Sequence, residues 1–573
     1  MSHRRRRGDR LPRRRPPKGV TPPLPRVEIT GPAPEEAAAS AARAEEASAP
    51  PQPPAPTIGA RNDVWLVLAL LALAAVCFLP ALSNGFVWED NALVVDNPLL
   101  RDPSSIGAIF GRPFLPAQPN SYHPLVTLTY LMDFQVWRLN PQGYHSANLT
   151  LHLVATLLVF ALATQLLQRR TMAFAAGAVF AVHPVHVQSV ALIAGRPELL
   201  ATCLALFAVL AYSSYINSFA AEKASTNRRA AYYTVSLIAF TLALFAHAAA
   251  GALIILLPLY EVMLARQRLD ATPRRRFLLP YVGFAAGIML YLLARWWALG
   301  YNLAVGFDVR EWPAYLYTAP LWAVRAVELM LLPVFSQPYY LVQVVASPLR
   351  ADVLTAAAAM AVAAALAWRL NIVSAGASFA LWWALLTLAP ALSLLPVPSP
   401  HFAERDLYLP SVGIALAVGW AVIGIQDSAL AQRRRWVRAL VIGVFAAAVA
   451  VGMTVSLVRA GWYRDEVALF TRMARSEPRL ALPHFNLGNA YLYRGETGRA
   501  IQQYKLALGR RPSAAVYHNL GNAYMIEERY EEAAQAYRRA LELSPSSGTA
   551  SALEQALQRR REKERPPGGL GGG

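Results

Sequence analysis

The sequence VWLVLALLALAAVCFLPALSNGFVWEDNALVVDNP, residues Val64 to Pro98, joins a long apolar run to an acidic segment. The run from Val64 to Leu82 has the roughly 20 apolar residues that a helix needs to cross a bilayer. Glu89 and Asp90 follow it, and a charge at the bilayer centre costs about 2.5–3.5 kcal/mol. The pair therefore lies beyond the hydrocarbon, in a polar outer loop that we place at residues 85–144.

The adjacent carboxylates stand beside three apolar residues, Phe86, Val87 and Trp88. A carboxyl group in a partly apolar setting can have a raised pKa and accept a proton near neutral pH. The alternative is a solvated loop that is acidic without a chemical role. The pair alone leaves both interpretations open.

The composition indicates a polytopic membrane protein. The chain has 573 residues, of which 55% are hydrophobic and 16% charged, and apolar spans recur along most of it. The net charge of +19 lies largely in clusters between spans, as the positive-inside rule predicts, so we do not expect nucleic-acid binding. The two cysteines, Cys77 and Cys203, fall within apolar spans and imply no disulfide framework.

The hydropathy pattern predicts an all-α fold, a polytopic membrane helix bundle with about eleven crossings. Cation clusters around Arg169, Arg228, Arg266–Arg276 and Arg433–Arg438 mark cytoplasmic loops. The last cluster reaches that side only if Pro313–Phe335 does not cross, so we interpret this segment as an interfacial or re-entrant helix. The predicted crossings are Val64–Leu82, Asn148–Leu167, Met172–Val190, Leu199–Ile216, Tyr232–Ala246, Ala252–Leu264, Phe277–Trp297, Val353–Trp368, Phe379–Leu395, Leu409–Ile425 and Ala439–Val458.

This arrangement places residues 62–459 in the membrane domain, with the N-terminus cytoplasmic and the C-terminus outside. Residues 1–61 are basic and rich in Pro, Ala and Glu, so we expect a disordered cytoplasmic tail that contacts anionic lipid. Residues 563–573 are Gly-rich and are expected to be a flexible tail.

Residues 460–562 carry an internal repeat. Asn486–Tyr491 reads NLGNAY and recurs as Asn519–Tyr524, with matching Ala, Tyr, Leu and Pro positions downstream. This is the tetratricopeptide helix-turn-helix pattern, with repeats at residues 480–512 and 514–545. Because two repeats rarely bury a stable core, we add a half-repeat at Asp465–Pro478 and a capping helix at Ser547–Arg561. The prediction is a C-terminal α-solenoid.

Two further segments combine histidines or charges with span ends. In AVHPVHVQSVALIAGRPELL, Ala181–Leu200, His183 and His186 could ligate a metal, although structural histidines are more common. Arg196 and Glu198 follow, either as functional boundary charges or as a snorkelling pair.

The second segment, His401–Gly413, reads HFAERDLYLPSVG. Arg405 could fork onto a phosphate, or the charges of Glu404, Arg405 and Asp406 could form an ordinary boundary cluster.

These stretches, together with SYHPLVTLTYLMDF and NPQGYHSANLTLHL, occur in a specific order. The chain resembles the transmembrane and tetratricopeptide-repeat O-mannosyltransferases, a branch of the GT-C membrane glycosyltransferases, over about Gly85 to Pro545. The resemblance implies transfer of a sugar, typically mannose, from a polyprenyl phosphate to Ser or Thr of a protein. It puts the family's acidic pair on Glu89 and Asp90. Its other motif positions fall on His183, His186, Arg196, Glu198, Glu404, Arg405 and Tyr408.

The sequence departs from the family pattern at three places. Glu89 stands where Asp is frequent, Gln188 replaces an acid, and His247 with Ala248 replaces a Lys-Glu pair. These departures are compatible with a shifted donor or with a weakened enzyme.

The sequence therefore predicts an inverting membrane glycosyltransferase. A lipid phosphate leaves without a general acid, so one carboxylate suffices, and we assign Asp90 as the base, with Glu89 either orienting it or binding the acceptor. Cations stabilise the departing phosphate, and the candidates are Arg405 and Arg196, with Glu198, His183, His186 and Tyr408 also at the donor. A divalent metal is possible and its ligands are not predicted.

The expected partners are the lipid-linked sugar, membrane lipid and an exported acceptor protein held by the repeats. The expected location is a bacterial inner membrane. A second hypothesis is a membrane-anchored scaffold, with working repeats and an inactive transferase shell. A transporter is less favoured because no inverted repeat is visible.

Overall fold

A computed structural model describes residues 61–115, 120–219, 225–264, 274–300, 312–333, 336–341, 343–392 and 401–564. The predicted N-terminal tail lies outside the described residues, apart from Arg61. So do residues 266–273 of one cationic loop and residues 565–573 of the C-terminal tail.

The membrane part is built from α-helices that are linked by short 3-10 turns. The helices are α1 (Arg61–Phe78), α2 (Ile106–Phe110), α3 (Pro124–Trp137), α4 (Pro141–Leu167), α5 (Arg170–Val182), α6 (Val187–Ala191), α7 (Arg196–Asn217), α8 (Thr226–Ala246), α9 (Leu253–Leu264), α10 (Arg274–Leu299), α11 (Trp312–Leu331), α12 (Ala351–Leu370), α13 (Ala375–Leu388), α14 (Tyr408–Gln426), α15 (Ala429–Arg433) and α16 (Arg435–Ala460). Two short strands, β1 (Tyr340–Leu341) and β2 (His401–Phe402), pair in antiparallel fashion.

Local sequence sets several helix starts. Asn140 caps α4 by accepting the Gln142 N–H, with Pro141 at the first helical position. Ser225 caps α8 and Ser374 caps α13 through equivalent side-chain bonds. A side-chain oxygen there satisfies a backbone donor that the helix leaves unpaired. α4 therefore starts seven residues before the span predicted at Asn148.

The described helices agree with the predicted all-α membrane fold. Eight of them are long and apolar enough to cross a bilayer, and α5 with the segment Pro184–Ala191, bent by 46°, is a broken span or a re-entrant loop that would bring the number to nine. Two shorter apolar helices, Ala248–Leu264 and Ala375–Leu388, occupy the remaining predicted spans. Within the described ranges α11, which carries Arg325 and Glu328, is not among the helices that meet this test, in keeping with its interpretation as a segment that does not cross.

Three contacts define the opposite ends of the helix bundle. Arg169, between α4 and α5, pairs with Asp427 after α14, so these two loops lie together. At the other end, the Gly85 N–H donates to the Arg464 carbonyl at 2.9 Å, and the Asn84 side chain bonds the Ala460 carbonyl at 3.3 Å. α16 therefore runs from the end of the bundle that carries Arg169 to the end that carries Glu89 and Asp90. We call the segment around these two carboxylates, residues 85–98, the acidic loop.

The C-terminal part consists of antiparallel helix pairs. The helices are α17 (Glu466–Ser476), α18 (Ala481–Tyr493), α19 (Thr497–Arg510), α20 (Ala514–Ile526), α21 (Tyr530–Leu543) and α22 (Ser547–Glu564). Small residues allow each pair to pack closely, because a Cβ on Gly488 would lie 2.5 Å from Tyr504 and one on Gly521 would lie 2.5 Å from Tyr537. These helices lie where the repeats, half-repeat and capping helix are predicted.

α17 does not belong to the repeat core. Its buried residues Leu469, Phe470 and Met473 share one hydrophobic core with the membrane bundle and the acidic loop. A separate core, centred on Tyr504 and Tyr537, holds the repeats together. The same core includes Leu487 of α18, so α17 packs between the membrane part and the first repeat helix.

Candidate functional site

The acidic loop is held in a constrained turn. Trp88 has a positive φ of 53°, which is uncommon for a bulky residue. Its ring lies 6.2 Å from that of Tyr339 and 6.3 Å from that of Phe470, and the Asn91 side chain donates to Glu466 at 2.8 Å. Contacts from α17 thus fix the backbone that presents Glu89 and Asp90.

Asp90 is fully buried. Its Oδ1 accepts the Ala194 N–H at 2.7 Å and its Oδ2 accepts the Val87 N–H at 3.2 Å. Burial raises the pKa of Asp90 to about 7, although these backbone bonds lower it, and the neighbouring Glu89 raises it further. The carboxyl group therefore joins the loop to the turn before α7 while it titrates near neutral pH.

Glu89 pairs with Arg405, which reaches it from a turn 316 residues away in sequence. Arg405 Nη1 lies 2.5 Å from Glu89 Oε2, and Nη2 lies 3.4 Å from Oε1. The Glu89 side chain is 11% exposed and that of Arg405 is 19% exposed. A second carboxylate, Glu198, places its Oε1 3.6 Å from Arg405 Nε. One partly exposed guanidinium therefore serves two carboxylates.

Gln188, which replaces an acid of the family pattern, is part of this arrangement. Its Oε1 accepts the Arg405 backbone N–H at 3.1 Å, and its Nε2 lies 3.4 Å from the Pro338 carbonyl. An amide offers both a donor and an acceptor. Gln188 can therefore hold the Arg405 turn without a negative charge.

Glu404 anchors the same turn from the interior. It accepts the Tyr340 hydroxyl at 2.6 Å and the Gln337 N–H at 2.9 Å, and it pairs with the buried Arg459. Arg459 also donates to the Pro184 carbonyl at 2.8 Å. A buried ion pair needs such additional bonds to compensate for its lost hydration, so Glu404 is a structural residue of the site.

Arg196 is engaged within the protein. Its guanidinium donates to Asn148 Oδ1 at 2.8 Å, to Asp133 Oδ2 at 2.5 Å and to the Tyr144 carbonyl at 2.9 Å. It also lies 4.5 Å from the Tyr130 ring centroid and is 1% exposed. This geometry joins α3, α4 and α7 and is that of a positioning residue.

The histidines and the tyrosine assigned to the donor are buried and bonded to protein groups. His183 Nε2 lies 2.8 Å from the Met330 carbonyl, and His186 Nε2 lies 2.8 Å from Ser411 Oγ. The Tyr408 hydroxyl lies 2.7 Å from His152 Nδ1. The structure thus places these three side chains between helices, where protein groups occupy their polar atoms, and not beside the guanidinium of Arg405.

A different histidine lies at the carboxylates. Glu198, His247 and Asp406 place one potential ligand atom each within 4.8 Å of one another. The His247 ring stacks on His123, with centroids 5.0 Å apart, and burial together with Arg405 lowers the pKa of His247 to about 4. The cluster brings together the first turn of α7, the start of the 3-10 turn after α8, and the turn before α14.

The sequence indicated Glu89, Asp90, Glu198 and Arg405, and the structure brings them together. It did not indicate His247 as a site residue, because His247 was noted only as a departure from a Lys-Glu pattern. A signal was available in that a histidine directly after an apolar span is a costly residue at a membrane boundary. Arg459 carried a similar signal at the end of α16.

Comparison with known proteins supports the resemblance. The tetratricopeptide repeat family matches residues 514–547. A protein O-mannosyl-transferase of Caenorhabditis elegans is 34% identical over 161 residues, which cover 26% of this chain and 23% of that protein. The protein O-mannosyl-transferase Tmtc1 of Drosophila melanogaster is 37% identical over 150 residues, covering 25% and 17%. The human protein O-mannosyl-transferase TMTC1 is 34% identical over 154 residues, covering 25% and 18%.

The aligned part therefore spans about a fifth of the length of these relatives. The matched relatives are protein O-mannosyl-transferases, and this confirms the resemblance to the transmembrane and tetratricopeptide-repeat O-mannosyltransferases over the aligned part.

Among solved structures, the Archaeoglobus fulgidus oligosaccharyltransferase in the apo form has a TM-score of 0.44 at 14% identity, covering 72% of this chain and 58% of that one. ArnT from Cupriavidus metallidurans bound to undecaprenyl phosphate has a TM-score of 0.37 at 13% identity, covering 84% and 80%.

Proposed function

We propose that this protein is an inverting membrane glycosyltransferase that moves a hexose from a polyprenyl phosphate to Ser or Thr of an exported protein. The observation that carries the proposal is the Glu89–Arg405 pair, at 2.5 Å. In this pair a carboxylate lies beside a guanidinium, a group whose shape suits phosphate, and both are partly exposed. The mannosyltransferase names of the relatives support mannose as the sugar.

The reaction needs few groups. An acceptor hydroxyl attacks the anomeric carbon, the bond from that carbon to the phosphate oxygen breaks, and the electron pair leaves with the lipid phosphate. The hydroxyl proton passes to a carboxylate as the new glycosidic bond forms. Arg405 stabilises the charge on the departing phosphate, since a guanidinium contacts two phosphate oxygens at once.

The accessibility of the two carboxylates favours a division of roles opposite to the one suggested by the sequence. Asp90 has a pKa near 7, but its side chain is fully buried and both oxygens accept backbone N–H groups. Glu89 is partly exposed and faces Arg405. We therefore assign Glu89 as the proton acceptor and Asp90 as the residue that holds the loop.

The donor phosphate competes with Glu89 for Arg405. A phosphate that draws the guanidinium toward itself weakens the Glu89–Arg405 pair and leaves the carboxylate free to accept a hydrogen bond from the arriving hydroxyl. Four further side chains hold in place the helices and turns that carry Glu198 and Arg405. They are those of Arg196, His183, His186 and Tyr408.

The repeats are proposed to present the acceptor protein. Paired helices form a concave surface that suits an extended peptide, and α17 connects this part to the acidic loop through Glu466 and Asn91. On the predicted topology both lie outside a bacterial inner membrane. A divalent metal fits the chemistry of the Glu198, His247 and Asp406 side chains, which offer two carboxylates and an imidazole.

The test is a transfer assay with purified full-length protein in detergent. Polyprenyl-phosphate mannose and polyprenyl-phosphate glucose are offered with Ser/Thr-containing peptides, and glycopeptides are measured by mass spectrometry. We expect hexose transfer that is lost in Glu89→Gln. The matched control is Asp352→Asn, which changes an exposed carboxylate at the start of α12, outside the repeats. Absence of transfer from every lipid-linked donor would overturn the proposal.

A membrane-anchored scaffold is the second candidate. The replacement of the family's Lys-Glu pair by His247 and Ala248 is the observation that favours it. Its expectation is that wild type transfers no sugar, and that damaging substitutions lie in the repeats. Deletion of the gene followed by mass spectrometry of exported proteins separates the candidates, since only the enzyme predicts lost hexose.

A further inference from the structure

We propose that Glu198, His247 and Asp406 form a binding site for one divalent transition-metal ion, adjacent to Arg405. The three side chains come from separate elements and meet where the first turn of α7, the start of the 3-10 turn after α8 and the turn before α14 converge. Nothing in the local sequence around each residue resembles a metal motif. The site exists only through the fold.

The spacing suits a cation. The three ligand atoms lie within 4.8 Å of one another. For any three atoms so placed, some point lies within about 2.8 Å of all of them, and divalent ions take ligands at about 2.0–2.6 Å. Closing round an ion therefore requires only a small movement of each side chain.

Glu198 supplies independent support. It is 8% exposed, and its Oε2 is buried without a hydrogen-bond partner. Its other oxygen faces Arg405 at 3.6 Å. A buried carboxylate oxygen that lacks a donor is costly, and a coordinated cation would satisfy it without disturbing the contact with Arg405.

His247 can become a metal ligand at the cost of one long hydrogen bond. Its Nδ1 accepts the Ala249 N–H at 3.2 Å, which is a long hydrogen bond. A metal on Nδ1 would take that lone pair, and a metal on Nε2 would require the proton to sit on Nδ1. Either way binding displaces this one weak bond, while the stacked His123 ring covers a face of the imidazole.

The charges point the same way. Arg405 is shared between Glu89 and Glu198, and Asp406 adds a further carboxylate, which caps its own turn by accepting the Ala403 N–H at 3.1 Å. Three carboxylates therefore lie around one guanidinium, and a divalent cation would offset the negative charge that Arg405 alone does not balance.

The donor set selects the type of ion. One imidazole with two carboxylates fits Mn²⁺, Fe²⁺ or Zn²⁺ better than Mg²⁺ or Ca²⁺, which prefer oxygen ligands alone. Three protein ligands leave coordination positions open for a phosphate oxygen. That last role rests on the proposed function, whereas binding of the ion does not.

The experiment uses full-length protein in detergent, stripped with chelator and titrated with Mn²⁺, and free Mn²⁺ is followed by electron paramagnetic resonance. We expect saturation at one ion per chain, with nitrogen modulation from His247 in the pulsed spectrum. Glu198→Gln and His247→Ala should each weaken binding by about tenfold or more, since loss of a ligand costs at least as much as loss of a second-shell partner. The control His518→Gln changes a histidine of the repeats, and its binding should match wild type.

A substitution that replaces the ion gives a second readout. In His247→Lys the ammonium can lie between Glu198 and Asp406 and supply positive charge directly. Mn²⁺ should raise the Tm of wild type and leave that of His247→Lys unchanged. No saturable binding by wild type, binding without nitrogen modulation, or binding that persists in both Glu198→Gln and His247→Ala overturns the site.

The two proposals fail separately. Mn²⁺ binding without hexose transfer from any donor leaves the metal site and removes the proposed function. Hexose transfer without saturable Mn²⁺ binding leaves the function and removes the metal site.

Discussion

The Asn91 side chain donates to Glu466 at 2.8 Å and so joins the acidic loop to α17, the first helix after the membrane bundle. Phe470 of the same helix packs on Trp88. The loop that carries Glu89 and Asp90 is therefore completed by residues more than 370 positions later. The chemistry of the loop and the integrity of α17 are physically linked.

Truncation tests this link. A chain ending after Trp462 loses the buried Leu469, Phe470 and Met473, and removal of a large buried side chain typically costs about 2–5 kcal/mol. A chain ending after Pro478 keeps all of them. We expect the shorter chain to unfold at a much lower temperature in detergent and the longer one to stay close to wild type. Equal Tm values for the two truncations would show that α17 does not support the loop.

The pH dependence of stability reports on Asp90. Its pKa is raised from 3.8 to about 7 on folding, so the unfolded chain releases this proton first. The contribution of Asp90 to the free energy of unfolding is therefore greatest below pH 4 and is lost as pH rises toward 7, and it amounts to at most about 4 kcal/mol. Between pH 5 and 8 we expect the Tm of wild type to fall more steeply than that of Asp90→Asn. Parallel Tm profiles would contradict the raised pKa.

Much of this fold can be predicted from the sequence because a membrane-spanning helix requires a long run of apolar residues. The predicted spans overlap the described helices, although α4 begins seven residues earlier than predicted, and the NLGNAY repeats lie in α18 and α20. The relation of α17 to the acidic loop was not predictable. The amphipathic pattern of residues 466–476 indicates a buried face but does not identify its partner, and the partner here is Trp88 in a left-handed conformation.

The sequence predicted which residues lie at the site better than it predicted the role of each residue. Glu89, Arg405 and Glu198 stand out because ionisable groups at membrane boundaries are costly unless they are used. The burial of Asp90 depends on where Ala194 places its N–H, which no local pattern reveals. For the same reason the sequence did not show that Arg196 is fully engaged by Asn148, Asp133 and Tyr144.

Close packing in the repeats gives a matched pair of glycine substitutions. In Gly521→Ala the new Cβ would lie 2.5 Å from the Tyr537 ring, and such overpacking typically costs about 1–3 kcal/mol. In Gly509→Ala the new Cβ meets nothing within 4 Å, and the higher helix propensity of Ala should gain up to about 1 kcal/mol. Hydrogen exchange should become faster across α20 and α21 in the first variant alone. Unchanged exchange in Gly521→Ala would show that the packing of α20 on α21 accommodates the added Cβ without loss of stability.

Cysteine labelling tests the orientation of the bundle. Both native cysteines are buried, so single exposed cysteines can be introduced by Ser104→Cys in the acidic loop region, Ala515→Cys in the repeats and Arg434→Cys before α16. The positive-inside rule places the Arg434 loop in the cytoplasm. A membrane-impermeant maleimide should therefore label the first two variants in intact cells and the third only after permeabilisation. Labelling at position 434 from outside, or protection at position 515, would contradict the eleven-crossing arrangement.

The assignment of the proton acceptor is tested by two amide substitutions. Glu89→Gln keeps the shape of the side chain but removes the basic oxygen, and loss of general-base help typically lowers kcat by about 10²–10⁴-fold. We expect this variant to fold normally and to bind the lipid donor.

Asp90→Asn should act differently, because its amide nitrogen cannot accept a backbone N–H. The amide must leave either the Val87 or the Ala194 N–H without its acceptor, which costs about 1–3 kcal/mol of stability. Transfer by the remaining folded protein should fall less than in Glu89→Gln. Arg405→Lys completes the set, since a single ammonium cannot fork onto phosphate, and it should raise KM for the donor more than it lowers kcat. A larger kcat loss in Asp90→Asn than in Glu89→Gln, at equal folded fractions, would return the role of base to Asp90. The buried carboxyl would then have to become exposed when the substrates bind.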